Sequence, residues 1–131
     1  MPSQIEVARQ VYAAMQHRDF KTVLSLLDPD VALVVGPGVS PETGTFPGRD
    51  AVGGWFGRWF GAFRPDYRLE IEDMRDLGDR VAVVQLHTGQ GRTSGAPVTM
   101  RNGTLIYFLA GRITRIEIFA DPRQALDAGE S

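Results

Sequence analysis

No cysteine occurs among the 131 residues, which excludes disulfides, thiolate metal sites and cysteine nucleophiles and agrees with a reducing compartment. Concentrated basic charge is also missing. The 14 Lys and Arg are scattered and stand against 16 Asp and Glu, for a formal net charge of -2. A nucleic-acid surface draws its affinity from clustered Lys and Arg facing phosphates, so no nucleic-acid partner is expected. Nor is there a run of about 18 apolar residues to span a bilayer, so no membrane partner is expected. Met1-Pro2-Ser3-Gln4 lacks the basic and then apolar pattern of a secretory signal, which makes the cytoplasm the expected location.

The composition that remains, 43% hydrophobic and 23% charged, is that of an ordinary globular protein. The length suits one domain, residues 1–131, able to bury roughly two-thirds of its unfolded surface. Residues 80–121 organise it. Val81-Ala82-Val83-Val84-Gln85-Leu86-His87-Thr88 is apolar on both faces, as a strand is when both sides of its sheet are covered. Leu105-Ile106-Tyr107-Phe108-Leu109 turns at Ala110-Gly111 into a third strand, residues 113–119, a spacing that fits a short hairpin.

Ahead of these strands, Ser3-Gln4-Ile5-Glu6 reads as a capping box, after which Ile5, Ala8, Val11, Tyr12 and Met15 share one helical face. Asp19 caps a second short helix carrying Phe20, Val23, Leu24 and Leu27, which Asp28-Pro29 ends. Residues 31–35 form an apolar strand. Residues 36–48 hold four glycines and three prolines, so no regular structure is expected there, and a loop of that length suggests a lid. Residues 49–63 predict a third helix with Val52, Trp55, Phe56, Trp59, Phe60 and Phe63 as an aromatic stripe, either plain core or the wall of a cavity. Tyr67, Leu69 and Ile71 alternate with Arg68, Glu70 and Glu72, the pattern of an edge strand with one wet face. Residues 89–97 are a glycine-rich connection, and residues 122–128 predict a short last helix.

His87 is the first candidate for chemistry, one of two histidines and placed on a buried strand. Its side chain titrates near neutrality and can serve as acid, base or donor to an oxyanion, or can be structural. His17 lies off the apolar face of its helix and reads as solvated. Tyr12 and Tyr107 offer phenolic donors. Glu117 and Asp121 end the last strand, where a desolvated carboxylate could act as a base, or where Glu117 simply faces water and Asp121 caps the last helix. The acidic groups Asp28, Asp30, Glu70, Glu72, Asp73 and Asp76 have no histidine at ligand spacing, so no metal is expected. No phosphate loop or nucleophile elbow is present.

Residues 11–20, Phe46-Pro47-Gly48-Arg49-Asp50-Ala51-Val52, His87-Thr88-Gly89, Gly111-Arg112-Ile113 and Phe119-Ala120-Asp121, in this order of elements, resemble the nuclear transport factor 2-like superfamily. Within it the chain is most similar to the SnoaL-like polyketide cyclases. The resemblance implies an α+β fold, a curved, mostly antiparallel sheet wrapped around three N-terminal helices as a cone with an apolar pocket. It places the cyclase histidine at His87. The cyclases' catalytic aspartate falls, counting back from Gly111, at Leu105. Of the acids and arginine of the related limonene epoxide hydrolases, Arg101 is the one visible partial match.

The expectation is a small-molecule-binding protein needing no cofactor, acting as a cyclase or isomerase on an apolar carbonyl compound such as a polyketide. His87 would be catalytic, with Tyr12, Trp55, Trp59, Leu105, Tyr107 and Phe119 shaping the substrate pocket. The alternative is a non-catalytic ligand-binding or dimerisation module. A homodimer through the sheet is expected under both, because helices on one side leave the second apolar face of the strands open.

Overall fold

The computed structural model describes residues 3–130, so residues 1, 2 and 131 of the expected domain lie outside the described residues. In chain order the elements are α1 (Gln4–Gln16), α2 (Phe20–Ser25), β1 (Leu27–Val35), β2 (Gly44–Pro47), α3 (Arg49–Gly61), β3 (Arg68–Asp76), β4 (Arg80–Gln90), β5 (Pro97–Leu109), β6 (Arg112–Phe119) and α4 (Pro122–Glu130). Among the described residues no helix is long and apolar enough to cross a membrane.

The helix starts follow their capping residues. Ser3 Oγ accepts from the Glu6 amide at 3.2 Å, and the Asp19 carboxylate accepts from the Thr22 amide at 3.2 Å and the Thr22 hydroxyl at 2.6 Å. The second helix stops at Ser25, short of Asp28-Pro29. Leu27, expected on its apolar face, is instead the fully buried first residue of β1, paired with Ile113.

One six-stranded curved sheet runs in the order β2-β1-β6-β5-β4-β3. Every neighbouring pair is antiparallel except β1 with β6. The expected edge strand is β3. The other edge corrects the sequence reading, since residues 44–47 of the glycine- and proline-rich loop pair with residues 32–35 as β2. Pro47 is tolerated there because an outermost strand needs no ladder donor on its open side. β5 is also longer than the pattern suggested, running from Pro97 through residues with no continuous apolar run. Ala110 and Gly111 both take positive φ, 52° and 79°, which closes the β5–β6 hairpin in two residues with the handedness that matches strand twist.

Register sorts the side chains into two faces. Gln85 is opposite Asn102, Val83 opposite Thr104 and Leu69 opposite His87, while Thr104 faces Ile118 and Ile106 faces Ile116. These line the concave face, over which α1 and α3 pack. On the convex face Ala82 is opposite Leu105, and Leu105 opposite Glu117. α4 covers this patch, with Ala82, Leu105 and Ala125 as a small second core that Leu77, Tyr107 and Phe119 flank. Helices therefore cover part of both faces. The apolar reverse of β4 meets its own chain's last helix, which removes the argument that only a second protomer could cover it.

Candidate functional site

Strand alternation brings Gln85 and His87 from β4 together with Asn102 and Thr104 from β5 on the concave face, among aliphatic side chains. Side chains of α1 (Tyr12, Met15) and α3 (Trp55, Phe56, Trp59) close over them, leaving a cavity of about 40 Å3. His87 is 3% exposed, Gln85 5% and Asn102 1%. No Asp, Glu, Lys or Arg lines this space among the described residues.

Buried polar groups need partners, and here they find one another. Trp59 Nε1–H donates to the Tyr67 hydroxyl at 3.0 Å, and the Tyr67 hydroxyl is bonded to His87 Nδ1. His87 Nε2 lies 2.8 Å from Asn102 Oδ1. The indole can only donate, so every proton in this chain is used when Tyr67 donates to Nδ1 and Nε2–H donates to Asn102. That assigns the neutral, Nε2-protonated tautomer. Burial pushes the His87 pKa below its ordinary value, opposed in part by the bond to Asn102, so the ring is uncharged at neutral pH. The Tyr67 phenol is pushed up to about 12, chiefly by burial. Beside this chain, the Tyr12 hydroxyl donates to Gln85 Oε1, which also accepts from Thr104 Oγ1 at 3.2 Å. Burial raises the Tyr12 pKa too.

Tyr67 is held from three sides. Its backbone oxygen accepts from the Arg18 guanidinium at 3.1 Å, its ring stacks on Phe63 at 4.4 Å, and Gly89 leaves it room. A Cβ on Gly89 would come within 2.9 Å of Tyr67 Cα, which gives the glycine of His87-Thr88-Gly89 a steric reason. The α3 side of the cavity is held by aromatic and polar contacts. Trp55 and Trp59 stack at 5.5 Å, Val39 from the β1–β2 connection lines the cavity, and that connection is fastened to α3. Trp55 Nε1 donates to the Glu42 carbonyl at 3.2 Å, and Arg58 Nε donates to both Glu42 carboxylate oxygens at 2.9 and 2.8 Å.

Of the residues expected at a site, His87, Tyr12, Trp55 and Trp59 meet here. Leu105, Tyr107 and Phe119 do not, because alternation along β5 and β6 turns them to the convex face beneath α4. The β5 residue bonded to His87 is Asn102, an amide, three positions before Leu105. Arg101 points away as well and forms an exposed pair with Glu72, at 2.7 and 3.1 Å. Asp121 accepts from the Arg123 amide at 2.9 Å at the start of α4, its capping alternative. Among the described residues no group of three or more His, Asp or Glu could hold a metal ion. Gln85, Asn102, Thr104 and Tyr67 were missed. Gln85 two positions before His87 in an otherwise apolar run was the available signal, as polar residues at period two share a face.

A family model, the SnoaL-like domain, matches residues 8–116. No curated protein matches the chain by sequence. Among solved structures, a nuclear transport factor 2-like protein of unknown function from Burkholderia pseudomallei is 26% identical over all of both chains, with a TM-score of 0.79. TerC, co-crystallised with polyporic acid, is 25% identical over 97% of this chain and 98% of its own, with a TM-score of 0.77. A Jannaschia sp. CCS1 protein provisionally assigned as a SnoaL-like polyketide cyclase is 16% identical over 100% and 97%, with a TM-score of 0.79, a likeness of fold alone.

Proposed function

The chain belongs to the SnoaL-like domain family, and on that premise we propose that it binds an apolar carbonyl compound, such as a polyketide, in the concave cavity without a cofactor. The carrying observation is an apolar cavity whose inward polar groups, Gln85, His87, Asn102 and Thr104, are all uncharged. Such a lining favours a neutral, largely apolar guest with a few polar atoms. At about 40 Å3 the cavity admits only a few water-sized groups, whereas ligand pockets usually reach roughly 300 Å3 or more. Entry of a ligand therefore requires lining side chains to move.

Both tryptophans line this cavity, so intrinsic fluorescence is the direct test. Titration with polycyclic ketones, terpenoids, steroids and polyporic acid, the compound co-crystallised with TerC, should give a saturable change at micromolar ligand with at least one of them. No change across the panel would remove the reading.

A second reading, a cyclase or isomerase, is favoured by one contact, the Tyr67 hydroxyl on His87 Nδ1. His87 is the one cavity group whose ordinary pKa lies near neutrality. If the α-C–H of an enolisable carbonyl compound displaced the Tyr67 hydroxyl, the freed Nδ1 lone pair would take that proton and the electron pair would pass to the carbonyl oxygen as an enolate. Asn102 cannot take a proton. Under this reading His87→Ala should abolish turnover; unchanged turnover would remove His87 from the mechanism. Self-association belongs to the proposal too, through the convex surface beyond α4.

A further inference from the structure

The cavity's two carboxamides are oriented by what their oxygens do. Gln85 Oε1 accepts from the hydroxyls of Tyr12 and Thr104, and Asn102 Oδ1 accepts from His87 Nε2. Reversing either amide would leave hydroxyl or imidazole protons without acceptors in a buried site, which is the costlier arrangement. Each oxygen thus already accepts from the protein, and each side-chain amide nitrogen is left with no hydrogen-bond partner among the described residues. Gln85 and Asn102 are direct cross-strand partners, so their Cβ atoms stand about 5 Å apart on one face. Both line the cavity.

We propose that the Gln85 and Asn102 amide groups form a paired donor site that grips one acceptor oxygen of the ligand, the carbonyl oxygen of a ketone or quinone that enters oxygen first. This rests on the binding function proposed above and narrows its substrate class. A carbonyl oxygen has two lone pairs and can accept from both amides. A carboxylate is disfavoured, since no cation lines the cavity to compensate its desolvation. A hydrocarbon leaves both donors unpaired. The surrounding relay is what points the donors inward, so Tyr12, Thr104 and His87 act as positioning residues.

The test pairs ligands with variants. A polycyclic ketone that binds the wild-type protein is compared with the analogue carrying a methylene in place of the carbonyl, and with a carboxylic acid of the same skeleton. The ketone should bind roughly ten- to a hundredfold more tightly than either. Asn102→Asp and Gln85→Glu keep acceptor oxygens for His87, Tyr12 and Thr104 but remove the amide donors, and each should shrink the ketone-to-methylene ratio. Isotope-edited infrared spectroscopy gives a second readout that a purely structural role would not move. The carbonyl stretch of the bound ketone should shift down in the wild-type protein and return towards its free value in both variants. Equal affinity for ketone and methylene analogue, or an unshifted carbonyl band, would overturn the paired donor site while leaving ligand binding intact. Failure of every carbonyl ligand to bind would overturn both.

Discussion

At the scale of single residues, His87 stays neutral because its burial outweighs the bond to Asn102, which favours the charged ring. Its pKa in the folded protein is lower than the ordinary value of about 6.5 that the unfolded chain restores. Between the two values the unfolded chain binds the extra proton, so acid favours unfolding there. The stabilising contribution is present above about pH 6.5 and is lost as pH falls through the folded value, at no more than about 1.4 kcal/mol per pH unit. Melting curves from pH 7.5 to 5 should fall more steeply for the wild-type protein than for His87→Gln, and parallel curves would show that folding leaves the His87 pKa unshifted. His87 itself was legible, a polar residue in a buried run. Asn102 was not, because its part depends on which β5 residue stands diagonally across from His87. A count from Gly111 landed three positions away, on the opposite face.

At the scale of elements, the convex core depends on how closely α4 approaches β5. Gly103 permits that approach. A Cβ there would come within 2.6 Å of the Ala125 Cβ and 3.0 Å of the Pro122 Cα, distances that only a shift of the helix relieves. Gly103→Ala should therefore cost about 1–3 kcal/mol, read as a lower urea midpoint. An unchanged midpoint would mean that α4 rides over the strand with slack. Elements announced by local chemistry were legible, among them the caps at Ser3 and Asp19, the Ala110-Gly111 turn and the aromatic stripe of α3. β2 and the first half of β5 were not, since their strand character comes from pairing with β1 and β4. Their own residues mix turn formers with isolated apolar side chains, Phe46 in β2 and Val98 and Met100 in β5, too few to make a continuous apolar run.

At the scale of the whole molecule, α4 shields the convex patch around Ala82 and Leu105. The half-buried Ala32, Val34, Val84 and Leu86 share that face by register. We expect two copies to meet there, and sedimentation equilibrium should give twice the 14.4 kDa chain mass; a monomer at tens of micromolar would refute it. The α+β architecture was legible in the order of elements, through its resemblance to the nuclear transport factor 2-like superfamily. The second covering layer was not, because a short amphipathic segment at a chain end reads equally well as a solvent-facing tail. The small volume behind Val39 and the two indoles also sets the heat of binding. A space of about 40 Å3 has room for a few waters at most, so a guest releases little ordered solvent and gains new hydrogen bonds and dispersion contacts. Calorimetry should then record association driven by enthalpy at 25 °C, with a negative heat-capacity change as apolar surface of the ligand leaves water.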